Sequence, residues 1–138
     1  MDKNKIFDVI KALELPIKDF AIVSSGPMIV RNLIPCNHDI DILARGKAWE
    51  MVTKLGEVTQ AAMRDHMVKL ENGTIEIFDG WAPSDRSDDE LIDSAEMIDG
   101  LPFVKLEYVL EYKKKLGRVK DLKHVEILEA YLDKQKKA

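Results

Sequence analysis

The stretch Asn37-His38-Asp39-Ile40-Asp41-Ile42-Leu43 (NHDIDIL) places two aspartates one residue apart in a short apolar run. In a strand, successive side chains face opposite ways. Asp39 and Asp41 would then share one face, about 6.5–7 Å apart along the chain, while Ile40 and Ile42 share the other. Aspartate is depleted in strands, and two like charges on one face repel. At 4 Å the repulsion is about 4 kcal/mol in an effective dielectric of 20 and about 1 kcal/mol in water. Solvent or a cation has to screen the pair, and both readings are open at this point.

The neighbouring segments give the pair its setting. Upstream, FAIVS (Phe20 to Ser24) reads as a buried strand, SSGP (Ser24 to Pro27) as a turn, and MIVRNL as a short helix entered through Pro27. Downstream, GKAWEMVTKLG reads as a helix with Trp49, Val52 and Leu55 on one face, and EVTQAAM as a third strand. HMVKL and TIEIFDGW read as strands joined by the hairpin signal ENG (Glu71 to Gly73).

Further out, Asp2 suits the cap of a first helix striped by Ile6, Phe7, Ile10 and Leu13 and closed by Pro16. PSDRSDDELIDSAE reads as an acidic loop with one helical turn, and the segment around Asp99-Gly100 as a small hairpin. Two helices follow, broken at Gly117. The first turns Leu106, Val109, Leu110 and Leu116 inward, the second Leu122, Val125, Leu128 and Leu132, and the lysine-rich tail is expected to be frayed and solvated. With no internal repeat, the expectation is one α+β domain over 1–138, a mixed β-sheet flanked by helices, with its C-terminal helical part at about 104–138.

Composition narrows the classes. A chain of 138 residues with 46% hydrophobic and 33% charged residues can bury a real core under a charged surface. The net charge of −4 gives no strong nucleic-acid signal. No apolar run approaches the roughly 20 residues of a membrane span, so no membrane association is expected. The opening MDKNKIFDVI does not read as a signal peptide. The single Cys36 cannot form an internal disulfide, which fits a reducing compartment, so the expected localisation is cytoplasmic.

Strand, Ser25-Gly26 turn, helix, Asp39-x-Asp41 and a later acid together resemble the nucleotidyltransferase superfamily, the polymerase-beta-like fold. That family's signature is a Gly-Gly or Gly-Ser turn opening a helix, about ten residues, Asp-hydrophobic-Asp, and a third acid on a later strand. Arg118, Lys120 and Asp121 match the Arg-x-Lys-Asp element near the end of its small bacterial and archaeal members. The resemblance runs from about Phe20 to Leu132. Serine stands here where the family more commonly has its first glycine.

The resemblance implies a nucleotidyltransferase-like fold and transfer of a nucleoside monophosphate from a nucleoside triphosphate (NTP, ATP included) to an unknown acceptor. It implies Mg2+ or Mn2+ held by Asp39, Asp41 and Glu76, which are also the catalytic candidates, and nucleotide contacts from Ser25, Gly26, Arg31 and Lys120. The chemistry is consistent: two divalent cations can clamp the attacking and leaving oxygens of an in-line displacement, and magnesium prefers a few carboxylates plus substrate phosphates to a full protein cage. A turn opening a helix offers N–H groups to phosphates.

Alternatives stand beside each assignment. Asp79 competes with Glu76 as third acid. Arg31 also suits a plain surface arginine. Lys113, Lys114 and Lys115 suit a solvated face with one of them turned into the cleft, and Asp121 suits a helix cap. His38 borders the first aspartate, His66 is placed to line the site, and His124 is expected to be exposed. The second function class is a non-catalytic nucleotide- or partner-binding subunit, such as a toxin–antitoxin component acting with a helical partner protein, with Trp49, Trp81 and Met97 as interface candidates.

Overall fold

The computed structural model describes residues 2–36, 39–61 and 65–137. In chain order the elements are α1 (Lys3–Ala12), β1 (Phe20–Val23), α2 (Gly26–Ile29), β2 (Ile40–Ala44), α3 (Gly46–Thr53), β3 (Val58–Gln60), β4 (His66–Leu70), β5 (Ile75–Phe78), α4 (Asp88–Asp93), β6 (Glu96–Ile98), β7 (Leu101–Phe103), α5 (Leu106–Leu116) and α6 (Val119–Lys137). The fold is α+β, with a seven-stranded mixed sheet in the order β3-β4-β5-β2-β1-β7-β6.

All four side chains of β1 are buried, as suits a central strand covered on both faces. It pairs antiparallel with β2 and parallel with β7, and β2 pairs parallel with β5. Cross-strand partners share a face. One ladder is therefore apolar: Ile22, Ile42, Ile77 and Val68 stand opposite one another across β1, β2, β5 and β4, all fully buried. The adjacent ladder on the other face runs Val23, Asp41, Glu76, Lys69. The same pairing that seals the core thus lines up two carboxylates on neighbouring strands.

The acidic segment after Trp81 is more ordered than its composition suggests. Ser87 caps α4 by accepting from the Glu90 N–H. Asp89 and Asp93, one turn apart, hold the Arg45 guanidinium at 2.7 and 2.6 Å. At the N-terminus Asp2 accepts from the Lys5 N–H and caps α1, as the sequence suggests.

Five expectations are corrected in whole or in part. The helix after Pro27 is a single turn, Gly26–Ile29. Leu55 lies beyond the end of α3 and is exposed. The lysine-rich tail is the last part of α6, which runs to Lys137, exposed but helical. Leu122 is 53% exposed, because the inward stripe of α6 is Asp121, Val125 and Leu128. The expected third strand is observed only over Val58–Gln60, and Ala62 and Met63 lie outside the described residues. Gly117, at φ 62°, ends α5 in the left-handed conformation that glycine adopts without steric cost.

Candidate active site

The polar ladder opens into a cleft of about 330 Å3 lined by Ser24, Ser25, Asp39, Asp41, Glu76, Lys113, Arg118, Lys120 and His124. The sheet supplies the acids: Asp41 from β2, Glu76 from β5, and Asp39 just before β2. The two serines come from the turn after β1, where Ser24 has φ 58°, an uncommon conformation for a residue with a Cβ. Lys113 comes from α5, Lys120 and His124 from α6, and Arg118 from the link between the two helices.

Lys113 links the Ser25 turn to α6. Its side chain is 3% exposed, donates to Ser25 Oγ at 3.2 Å and lies 3.9 Å from Asp121. Asp121 is fully buried and accepts from the Arg118 backbone N–H at 3.2 Å and from Arg118 Nε at 2.6 Å. An acid three residues into a helix reaching back to the cap N–H is half of a capping box, so Asp121 caps α6 from inside its first turn and not from the N-cap position expected of it, which Arg118 holds, and Asp121 adds a counter-charge for Lys113.

The acids crowd one another. Burial, then the charges of Glu76 and Asp39, push Asp41 up to about 7, against smaller opposing pulls from Lys113 and Lys120. Burial, followed by a hydrogen bond with Asp39 and the charge of Asp39, also raises Glu76. Burial lowers Lys113 to about 8 despite the attraction of Asp121. For Asp121 burial acts upward, but its bond to Arg118 and the charges of Arg118 and Lys113 leave it below the usual carboxylate value. Such opposed shifts in one cleft mark a candidate functional site.

Of the sequence candidates, the structure brings Ser25, Asp39, Asp41, Glu76 and Lys120 into this cleft. Gly26 and Arg31 are not among its lining residues. Gly26 is buried, and a Cβ there would come 2.2 Å from Ile22 Cγ2, so close packing of α2 on β1 accounts for the glycine. Arg31 donates to the Pro27 carbonyl at 2.8 Å and pairs with Glu96 at 3.4 Å, which turns it away from phosphate duty. Asp79 accepts from the His66 N–H at 2.7 Å and faces His66 Nδ1 at 3.0 Å, so both residues are engaged outside the cleft. His38 lies outside the described residues.

His124 is half-buried in the lining instead of exposed. Ser24 is an addition from the structure, and Arg118, singled out from the sequence only as part of the Arg-x-Lys-Asp element, joins the lining. Lys113 was hidden among three consecutive lysines, yet its place was readable: it follows Leu106 and Val109 at the i+7 and i+4 spacing of the buried stripe of α5.

No protein-family model, curated protein or solved structure matches this chain. Among the described residues, no group of three or more His, Cys, Asp or Glu side chains is placed to hold a metal ion by itself. Magnesium needs less than that, because one or two carboxylates with substrate phosphates suffice. Asp41 with Glu76 or Asp39 would be a donor set of the right hardness for it, and a divalent cation there would offset their mutual repulsion.

Proposed function

We propose that the chain is a nucleotidyltransferase-like protein that binds a nucleoside triphosphate with Mg2+ or Mn2+ and transfers the nucleoside monophosphate to an acceptor. The observation that carries this reading is that one cleft is lined both by Asp39, Asp41 and Glu76 and by Lys113, Arg118 and Lys120. A triphosphate needs the cations. A metal bridging it to the protein needs the carboxylates.

In the reaction an acceptor oxygen bonds to the α-phosphorus, the bond from that phosphorus to the bridging oxygen breaks, and pyrophosphate leaves with the electron pair. Asp41 and Asp39 or Glu76 would hold the divalent cation, which when bound neutralises charge on the phosphates. Lys113 and Lys120 bind the polyphosphate. Glu76, raised above an ordinary carboxylate by burial and Asp39, is suited to take the acceptor's proton on its carboxylate oxygen.

The test is incubation with labelled nucleoside triphosphates and magnesium, read as transfer product or pyrophosphate. Asp39→Ala should abolish transfer, Glu76→Gln should lower turnover more than nucleotide affinity, and Lys120→Ala should weaken binding while leaving some turnover. Full activity in Asp39→Ala would refute the catalytic role. Val119 at 75% and Leu122 at 53% exposure near the start of α6 favour a second reading, a nucleotide-binding subunit that docks a helical partner. Tight nucleotide binding without transfer to any acceptor would support it.

Lys113 gives the binding step a pH signature. Its ammonium, lowered to about 8 by burial, is charged below that pH and favoured by a bound polyanion. Affinity for the triphosphate should therefore fall as pH rises above about 8, and Lys113→Met should bind more weakly with a flat profile. Parallel profiles in calorimetric titrations of both proteins would remove Lys113 from the phosphate contacts.

A further inference from the structure

We propose that a second cleft, walled by Phe78, Trp81 and Tyr112 and opening onto Asp41, binds a planar ring bearing a hydrogen-bond donor, with Asp65 accepting from that donor. The cleft measures about 280 Å3 and shares Ser24, Asp41 and Arg118 with the charged cleft. A group seated in it therefore abuts the carboxylate at which transfer is proposed, and the inference rests on that reading for the ring's owner. Pockets for drug-sized ligands run from about 300 to 1,000 Å3, so this volume suits one ring system and not a whole ligand.

The wall is preformed from separate elements. Trp81 stacks on Tyr112 with centroids 4.9 Å apart and planes at 27°, and meets the Phe78 ring edge-on at 5.2 Å. Phe78 ends β5 and Tyr112 belongs to α5, so the sheet and the helix clamp the indole between them. Aromatic faces hold planar rings by stacking, and since Trp81 and Tyr112 already cover one face of each other, a ligand ring would stack on what these side chains leave open to the cleft.

Among the described lining residues the charge balance does not favour phosphate. The lining holds the carboxylates of Asp41 and Asp65, and among the described lining residues its cation is Arg118, already paired with Asp121. Asp65 is positioned with care. One oxygen accepts from the Ala82 N–H at 3.2 Å, and a Cβ on the buried Gly80 would lie 2.2 Å from the other. Glycine at 80 is what allows that oxygen into the wall. A carboxylate has about four acceptor positions, and among the described residues the Ala82 N–H takes one, so a ring that carries an N–H or O–H would complement Asp65.

The ring belongs either to the nucleobase of the triphosphate or to the acceptor, and titrations of the full chain separate these. Calorimetry compares magnesium tripolyphosphate with each of the four nucleoside triphosphates in wild type, Trp81→Leu and Asp65→Asn. Adenosine and tyramine are then followed by tryptophan emission. For a nucleobase, at least one triphosphate should bind about 5- to 150-fold more tightly than tripolyphosphate, the range one base–aromatic stack contributes. Trp81→Leu should erase that advantage and Asp65→Asn should reduce it. For an acceptor ring, nucleotide affinities stay unchanged in both variants, while tyramine alters the emission of tripolyphosphate-saturated wild type but not of Trp81→Leu, and binds more weakly to Asp65→Asn. A nucleotide advantage that survives both substitutions, or no advantage together with no response to adenosine or tyramine, overturns the proposal. Failure of tripolyphosphate to bind would count against the transferase reading instead, since adenosine and tyramine need no phosphate contact.

Discussion

Asp41→Asn should make the metal-free protein more stable at pH 8 and abolish nucleotide transfer. Folding moves Asp41 from an ordinary 3.8 to about 7, chiefly by burial and then by the charges of Glu76 and Asp39. The sign follows from linkage. A carboxyl whose pKa rises on folding favours the folded state while it is protonated, in full below about pH 4, and that contribution is lost as pH rises through 7. Over roughly three units at 1.36 kcal/mol each, the loss by pH 8 is on the order of 4 kcal/mol. Asparagine carries no charge to desolvate or repel, so the variant should exceed wild type by about 2–4 kcal/mol at pH 8 and match it near pH 4. Denaturant midpoints at the two pH values measure this, and an equal difference at both would refute the crowding argument. Millimolar magnesium or manganese, with nucleotide present, should stabilise wild type by binding its folded state. The variant should lose most of that response together with its activity.

The acids were legible because strand periodicity is rigid. Ile75 and Ile77 flank Glu76 as Ile40 and Ile42 flank Asp41, and burying all four isoleucines on one face leaves both carboxylates on the other. That parity also separates Glu76 from Asp79, which is an odd number of residues further along. The bases were harder to read. Three consecutive lysines carry no phase of their own, and only the spacing from Leu106 and Val109 singles out Lys113. Asp121 occupies the helical position where an apolar residue is expected, so the sequence points to Leu122 for the stripe of α6, which the structure instead gives to Asp121, Val125 and Leu128. Gly26 and Arg31 show the limit of motif reading. A glycine in a turn and an arginine one turn later suit a phosphate loop, but their partners, Ile22 in one case and Pro27 and Glu96 in the other, are fixed by tertiary packing.

Asp121→Ala should cost about 3–5 kcal/mol at pH 7, the range for removing one partner of a buried ion pair. Asp121 is fully buried, bonds Arg118 twice on Oδ2 and sits 3.9 Å from the equally buried Lys113. Its loss removes a helix-terminal acceptor, worth about 1 kcal/mol, and leaves the Lys113 ammonium facing Lys120 and Arg118 with its main counter-charge gone. The pH dependence identifies the cause. Lys113 is already lowered to about 8 against an ordinary 10.5, and in the variant it should fall further. The unfolded chain then binds the extra proton over a wider range, so the variant should regain stability relative to wild type as pH rises from 7 to 9. Lys113→Met in the same chain should recover much of the loss at pH 7, because removing both members of a buried pair costs far less than removing one. A double variant that folds well yet binds triphosphate weakly would locate the function of the pair: Asp121 keeps a buried lysine charged, and the lysine is kept for the phosphates. Thermal and denaturant unfolding of the single and double variants at pH 7 and 9 decides this. A penalty below about 1 kcal/mol, or no recovery in the double variant, would refute the pairing.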